Sequence, residues 1–314
     1  MFNPMRLSLF SNLINRHKPK ALFDANEILA LAALLQLDHQ HDTSMLTRHL
    51  YAGSQESSHR GEGMDFLENR QYLLGDNPRH INWRLSARLG NLHTRVFQED
   101  KQSQTLIILD RRPSMWFGTQ QQLKVRQAVS SAILFMFAAT KRHNAFACLQ
   151  LDTIFHGSDF HSGSDFALLQ AEQLARVDNR MELDADSVSL AEALSYALDV
   201  YPRGNEVIII SDFFDMDQKA SAMLGALNEN NRVISIYITD PADTMLPRAG
   251  SIDTVSSQSG EIVAIDTGDP LFREHYQQTG EQKKHSVLQV LRNTLCLELG
   301  TEEEAWQRLK AILA

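Results

Sequence analysis

Cysteine, basic excess and long apolar runs are what this 314-residue chain has little of. Its two cysteines, Cys148 and Cys296, stand far apart, each in an apolar segment. They read as reduced, buried thiols of a reducing cytosol rather than as a disulfide. Lysine and arginine number 30 against 39 acidic residues, a formal charge of −9. That argues against a nucleic-acid binder driven by bulk charge, although it leaves room for a local basic patch. The longest candidate for a membrane span, residues 128–140, falls short of the roughly twenty apolar residues a spanning helix needs. The N-terminal apolar stretches around Arg16, His17, Lys18 and Lys20 are too interrupted for a secretion signal. A cytoplasmic protein with no span of its own is expected, associated with a membrane only through partners. P-loop, GxGxxG, GxSxG, HExxH and paired CxxC motifs are missing. The glycine-rich GSDFHSGSDF, residues 157–166, lacks the Lys-Ser/Thr of a phosphate loop and reads as a turn into a helix.

What is present suits a folded domain: 43% hydrophobic and 22% charged residues. Residues 26–37 predict a buried helix capped by Asp24 or Asn26. Residues 50–100 read as strands and loops without clear periodicity. After Lys101 strands and helices alternate. Strands are expected at 105–109, 145–151, 153–155, 206–211, 232–239 and 261–266. Helices are expected at 121–141, 165–176, 189–201, 217–229, 270–296 and 302–313. Strands apolar on both faces and joined by helices imply a doubly wound, mostly parallel α/β sheet. Such sheets bind ligands beyond the carboxyl ends of their strands, where the winding reverses. Asp110, Asp212 and Asp240 fall at those ends.

Residues 59–100, HRGEGMDFLENRQYLLGDNPRHINWRLSARLGNLHTRVFQED, carry a long signature. Its elements are Gly61, Gly63, Arg70, Tyr72, Gly75, Asp76, Arg79, Ile81, Trp83, Ala87, Arg88, Glu99 and Asp100. It resembles that of the domain of unknown function 58 family, with Asn82 where the family usually has aspartate. The resemblance implies a von Willebrand factor A-like domain and association with the MoxR class of AAA+ ATPases. The chain then divides into an N-terminal region (1–100), a von Willebrand factor A-like domain (101–270) and C-terminal helices (271–314). Physically, the signature reads as arginine to carboxylate pairs around a tight Gly75-Asp76-Asn77-Pro78 turn. Trp83 offers a face on which Arg79, Arg84 or Arg88 could stack.

Von Willebrand factor A domains commonly hold a divalent cation through Asp-x-Ser-x-Ser, a later threonine and a late aspartate. By that resemblance Asp110, Ser114 and Asp212 are metal ligands, and magnesium or manganese is the ion a complete set would take. Arg112 replaces the first serine, and Val188 falls at the threonine, between Ser187 and Ser189. Arg112 therefore reads as a built-in counter-ion of a degenerate, empty metal site, with no cofactor expected. Arg111, Trp116, Phe117 and Asp215 are candidate partner contacts at the same loops, with packing the competing role for the aromatic pair. His156, Asp159 and His161 read as solvated loop residues.

The function expected is a non-enzymatic interaction module. Its partners would be a MoxR-type ATPase and other von Willebrand factor A proteins, docking through the crevice. The alternatives are a metal-dependent hydrolase using Asp110, Asp212 and His80 as base, and a structural subunit of a cell-envelope assembly.

Overall fold

The computed structural model describes residues 7–9, 21–37, 60–61, 65–73, 75–98, 104–152, 155–177, 188–201, 203–256 and 262–313. The chain forms two compact units, one of residues 1–43 with 103–314 and the other of residues 44–102. In chain order β1 (Leu7–Leu9) and α1 (Ala25–Leu37) belong to the first unit. The second holds β2 (Arg60–Gly61), β3 (Asp65–Gln71), α2 (Trp83–Leu89) and β4 (His93–Gln98). The first resumes with β5 (Gln104–Asp110), α3 (Lys124–Lys141), β6 (Ala145–Leu151), β7 (Phe155–Gly157), α4 (Ser164–Ala175) and α5 (Leu190–Val200). Then follow β8 (Glu206–Ser211), α6 (Gln218–Asn230), β9 (Arg232–Thr239), β10 (Ser251–Ser256) and β11 (Ile262–Asp266). The chain closes with α7 (Pro270–Leu291), β12 (Leu295–Gly300) and α8 (Ala305–Leu313).

Six strands form the main sheet in the order β12-β9-β8-β5-β6-β7, all parallel except β7, which runs antiparallel to β6 at one edge. Counted along the chain from β5, that is the doubly wound order 3-2-1-4-5-6. Side chains alternate between two cores. Ile107, Leu109, Ile208 and Ile210 face a layer with α1, α3, α4 and α8. Leu106, Ile108, Val207 and Ile209 face a layer with α5, α6 and α7. Burial on both faces explains why these strands read as unbroken apolar runs. α3 is covered on nearly every side, from Val125 to Ala139, because it lies between the sheet and other helices.

Several expectations are corrected. α1 contributes Ile28 and Leu35 to the main core, so it groups with the sheet and not with the signature segment. Its cap is Asp24, which exchanges hydrogen bonds with Glu27 at 2.8 Å each. β11 belongs to a separate antiparallel sheet, β1-β10-β11, and the sixth main strand is β12, where the helical reading had run on to residue 296. The second unit is a β2-β4-β3 antiparallel sheet with the α2 helix, which lack of periodicity had concealed.

Candidate functional site

The helix after β5 packs on one face of the sheet and the helix after β8 on the other. The carboxyl ends of these two neighbouring strands therefore bound a crevice. Asp110 closes β5, and Ser211 followed by Asp212 closes β8. Arg112 lies buried between them. Its Nε and Nη2 donate to Asp110 Oδ1 and Oδ2 at 3.0 and 2.7 Å. Its Nη1 and Nη2 donate to Asp215 Oδ2 and Oδ1 at 2.5 and 2.8 Å, and Nη1 also reaches the Val188 carbonyl at 3.3 Å. All five N–H donors of the fork are thus used, in two bidentate pairs and one carbonyl bond. Asp110 further accepts the Arg112 backbone N–H at 3.0 Å and the Ser211 hydroxyl at 2.6 Å. Burial disfavours the guanidinium charge, but Asp110 and Asp215 outweigh it and hold the arginine firmly protonated. Asp215 is likewise desolvated, yet its hydrogen bonds to Arg112 and that charge keep its carboxyl below the usual carboxylate range.

A second cation sits beside the first cluster. Lys124 opens α3 and is buried, with Nζ at 2.6 Å from Asp243 Oδ1 and 3.6 Å from Asp212 Oδ2. Burial works against its charge, and Asp243 and Asp212 reverse that and raise its pKa. Asp212 Oδ1 accepts the Phe214 N–H at 3.1 Å, while Oδ2 is buried without a hydrogen-bond partner. Between them Phe213, itself fully buried, takes a left-handed φ of 47°. Asp240 ties three segments together. It accepts from Thr119 N–H (2.8 Å), Thr119 Oγ1 (2.6 Å), Ala242 N–H (2.9 Å) and Thr301 Oγ1 (2.6 Å). Burial pushes its pKa up, but the bonds from Thr119 and Thr301 prevail and lower it.

Arg112 and Asp110 therefore meet as the sequence suggests, whereas the second carboxylate on Arg112 is Asp215. Asp212 faces Lys124 instead. Ser114 stands half-buried in a 3-10 turn, Pro113–Met115, and takes no part in the cluster. Val188 contributes its carbonyl, Ser189 caps α5 in a capping box with Glu192, and Ser187 lies outside the described residues. As arranged, this donor set does not fit a divalent cation, because the guanidinium already stands between the two carboxylates. Among the described residues no group of three or more His, Cys, Asp or Glu side chains could hold a metal.

Of the candidate partner contacts, Arg111 and Phe117 are buried, which removes them from any open surface. Arg111 Nη2 donates to the Arg176 carbonyl at 2.8 Å, and Phe117 packs with Ala242 and Leu246. Trp116 is half-buried, its indole N–H donating to the Arg111 carbonyl at 2.9 Å. The sequence reading missed Lys124 and Asp243. A lysine at the first position of a helix sits at the positive end of its dipole, an unfavourable place that signals nearby carboxylates.

In the second unit the signature is partly scaffold. Arg70 grips Asp76 through two bonds of 2.9 and 2.6 Å, Leu73 N–H adds a third at 2.8 Å, and Tyr72 OH donates to the Asp76 carbonyl at 3.2 Å. The Arg70 hydrogen bond, then that of Leu73, lowers the Asp76 pKa. Gly75, at φ 110°, permits the turn. Asn82 caps α2 by accepting the Leu85 N–H at 3.2 Å and donates to Asn69 Oδ1 at 3.0 Å. Trp83, Arg79 and Arg88 are exposed, and among the described residues no arginine stacks on Trp83. His80, considered as a base, belongs to this unit. Glu99 and Asp100 lie outside the described residues.

A sheet of this strand order, with an antiparallel edge strand and aspartates at its switch point, defines a doubly wound α/β domain with its crevice at the carboxyl ends of the strands. The model of the family "Protein of unknown function DUF58" matches residues 68–286, and the chain belongs to that family. Uncharacterized proteins of Mycobacterium bovis and Mycobacterium tuberculosis are each 24% identical over 241 residues, covering 74% of this chain and 72% of theirs. Among solved structures it is similar to the conserved hypothetical protein BatB of Bacteroides thetaiotaomicron. That match has 13% identity and a TM-score of 0.46, over 67% of this chain and 95% of that one. A von Willebrand factor type A structure from Catenulispora acidiphila matches at 12% identity and a TM-score of 0.31, over 61% of this chain and 44% of that one. The fold assignment rests on the strand order, not on likenesses of this size. No helix among the described residues is long and apolar enough to cross a membrane.

Proposed function

We propose that this chain is a non-enzymatic interaction module that docks, through the crevice at the carboxyl ends of β5 and β8, onto a MoxR-type AAA+ ATPase in the cytoplasm. The observation that carries the reading is the arrangement of the crevice. Its four ion-paired carboxylates, Asp110, Asp215, Asp212 and Asp243, are held by two cations of the chain's own, Arg112 and Lys124. Lys124 lies over the Phe117 ring of a small apolar cluster, and Met245 and Leu271, 62% and 76% exposed, are next in sequence to its members Leu246 and Phe272. Carboxylates engaged by fixed cations serve as a rigid floor of net negative charge, and apolar side chains flanking such a floor are how a protein interface excludes water. Other von Willebrand factor A proteins are further candidates for the same surface.

The test is co-purification with a MoxR-type ATPase, comparing wild type with Met245→Asp and Leu271→Asp. These rim variants leave the buried pairs intact. Loss of the ATPase in both supports the reading, and retention in both contradicts it. One observation favours a metal-dependent hydrolase instead: the buried Asp212 Oδ2 has no hydrogen bond. Phosphoester turnover with magnesium or manganese, abolished by Asp212→Asn, would establish that alternative.

A further inference from the structure

The signature unit carries a surface that its scaffold pairs do not account for. Between Asp76 and Glu99 the sequence has four arginines and two histidines but no carboxylate. Arg70 already occupies Asp76. Arg79, Arg84, Arg88 and Arg95 are all exposed, and their side chains make no ion pair among the described residues. Arg84 and Arg88 lie four apart on α2, where like charges repel and weaken a helix. One row round the same helix, Trp83, Ser86, Ala87 and Gly90 line a shallow groove of about 380 Å³, closed on its other side by Asn91 and Leu92. Trp83 is 66% and Leu92 45% exposed, a large apolar face left open beside a cationic ridge.

The geometry points to a docking site for an acidic segment of a partner protein, one that places an apolar side chain against Trp83 and carboxylates against Arg84 and Arg88. Charge complementarity selects this occupant. Among the described residues the ridge has no ion pair of its own, and an anionic segment would remove the Arg84 to Arg88 repulsion while covering the indole. Arginine and tryptophan are also the residues that most often dominate binding energy at interfaces. A nucleic acid is the poorer fit, because the chain as a whole is net negative at −9 and the groove offers one aromatic platform rather than a track of them. Docking at this face is independent of the crevice.

The experiment uses the full chain and a fluorescein-labelled peptide of alternating glutamate and leucine, followed by anisotropy at low and moderate salt. An oligothymidylate serves as the competing anion, and sedimentation is run on the chain alone. Saturable binding is expected, weakened about tenfold or more by Trp83→Ala and by the Arg84→Glu, Arg88→Glu pair, and unchanged by Met245→Asp. All these positions are exposed, so circular dichroism should show each variant folded. Three results would overturn the proposal. They are no saturable binding of the peptide at millimolar concentration, equal binding of oligothymidylate without any effect of Trp83→Ala, and a self-association of the chain that Trp83→Ala abolishes. The last would assign the face to a second copy.

Discussion

The ion pairs of Arg112 and Lys124 make the crevice's stability depend on pH at both ends. Asp215 has its pKa lowered by Arg112. Its pair is fully stabilising above the ordinary aspartate value of about 3.9 and is lost as pH falls from there through the lowered folded value. Lys124 has its pKa raised by Asp243 and Asp212. Its contribution is fully present below about 10.4 and is lost as pH rises through the raised folded value. Urea midpoints measured against pH should therefore fall more gently below pH 4 in Asp215→Asn than in wild type. Arg112→Ala should cost about 3–5 kcal/mol, because the buried Asp110 and the half-buried Asp215 lose their counter-ion. An equilibrium unfolding curve within about 1 kcal/mol of wild type would contradict the pairing. The thiols should be sluggish as well. Burial raises Cys148 to about 12, against a lowering by Arg111, and burial with Glu298 raises Cys296 to about 11. Native chain should react slowly with iodoacetamide at neutral pH and quickly once unfolded. Asp110 and Arg112 were legible because they adjoin a readable strand end. Asp215 stood out only as a candidate partner contact and Lys124 not at all, because the turn after β8 and the start of α3 decide which carboxylate meets which cation.

At the level of elements, the strands of the main sheet were plain where both faces are buried and obscure where one is not. In β12, Leu295, Leu297 and Leu299 face the core, while Cys296 and Glu298 point to the half-covered other side. A short alternating edge strand directly after a long helix reads as more helix. Leu299→Ala is expected to cost about 2–5 kcal/mol, since its side chain is fully buried in the core. The α2 helix escaped notice for a different reason: it has seven residues and its indole faces outward. Its start is fixed by Asn82. Asn82→Ala should cost about 1 kcal/mol and speed hydrogen exchange at Leu85 about fivefold. Asn82→Asp should exchange as wild type does, provided the Asn69 amide turns to donate.

Across the whole molecule, composition and alternation were enough to give a doubly wound domain, because a chain of this length must bury apolar faces on both sides of a parallel sheet. The partition into units was less accessible. Residues 1–43 group with 103–314 through α1, an association that separation along the chain conceals. At its switch point the chain supplies its own cation, Arg112. Calorimetric titration of magnesium, manganese and calcium into chelator-treated protein, run beside Arg112→Ser, tests that most directly. Wild type should release no binding heat, and the variant should bind a divalent ion in a manner lost when Asp110 is also changed to Asn. Saturable, Asp110-dependent binding by the wild type would contradict the role assigned to Arg112.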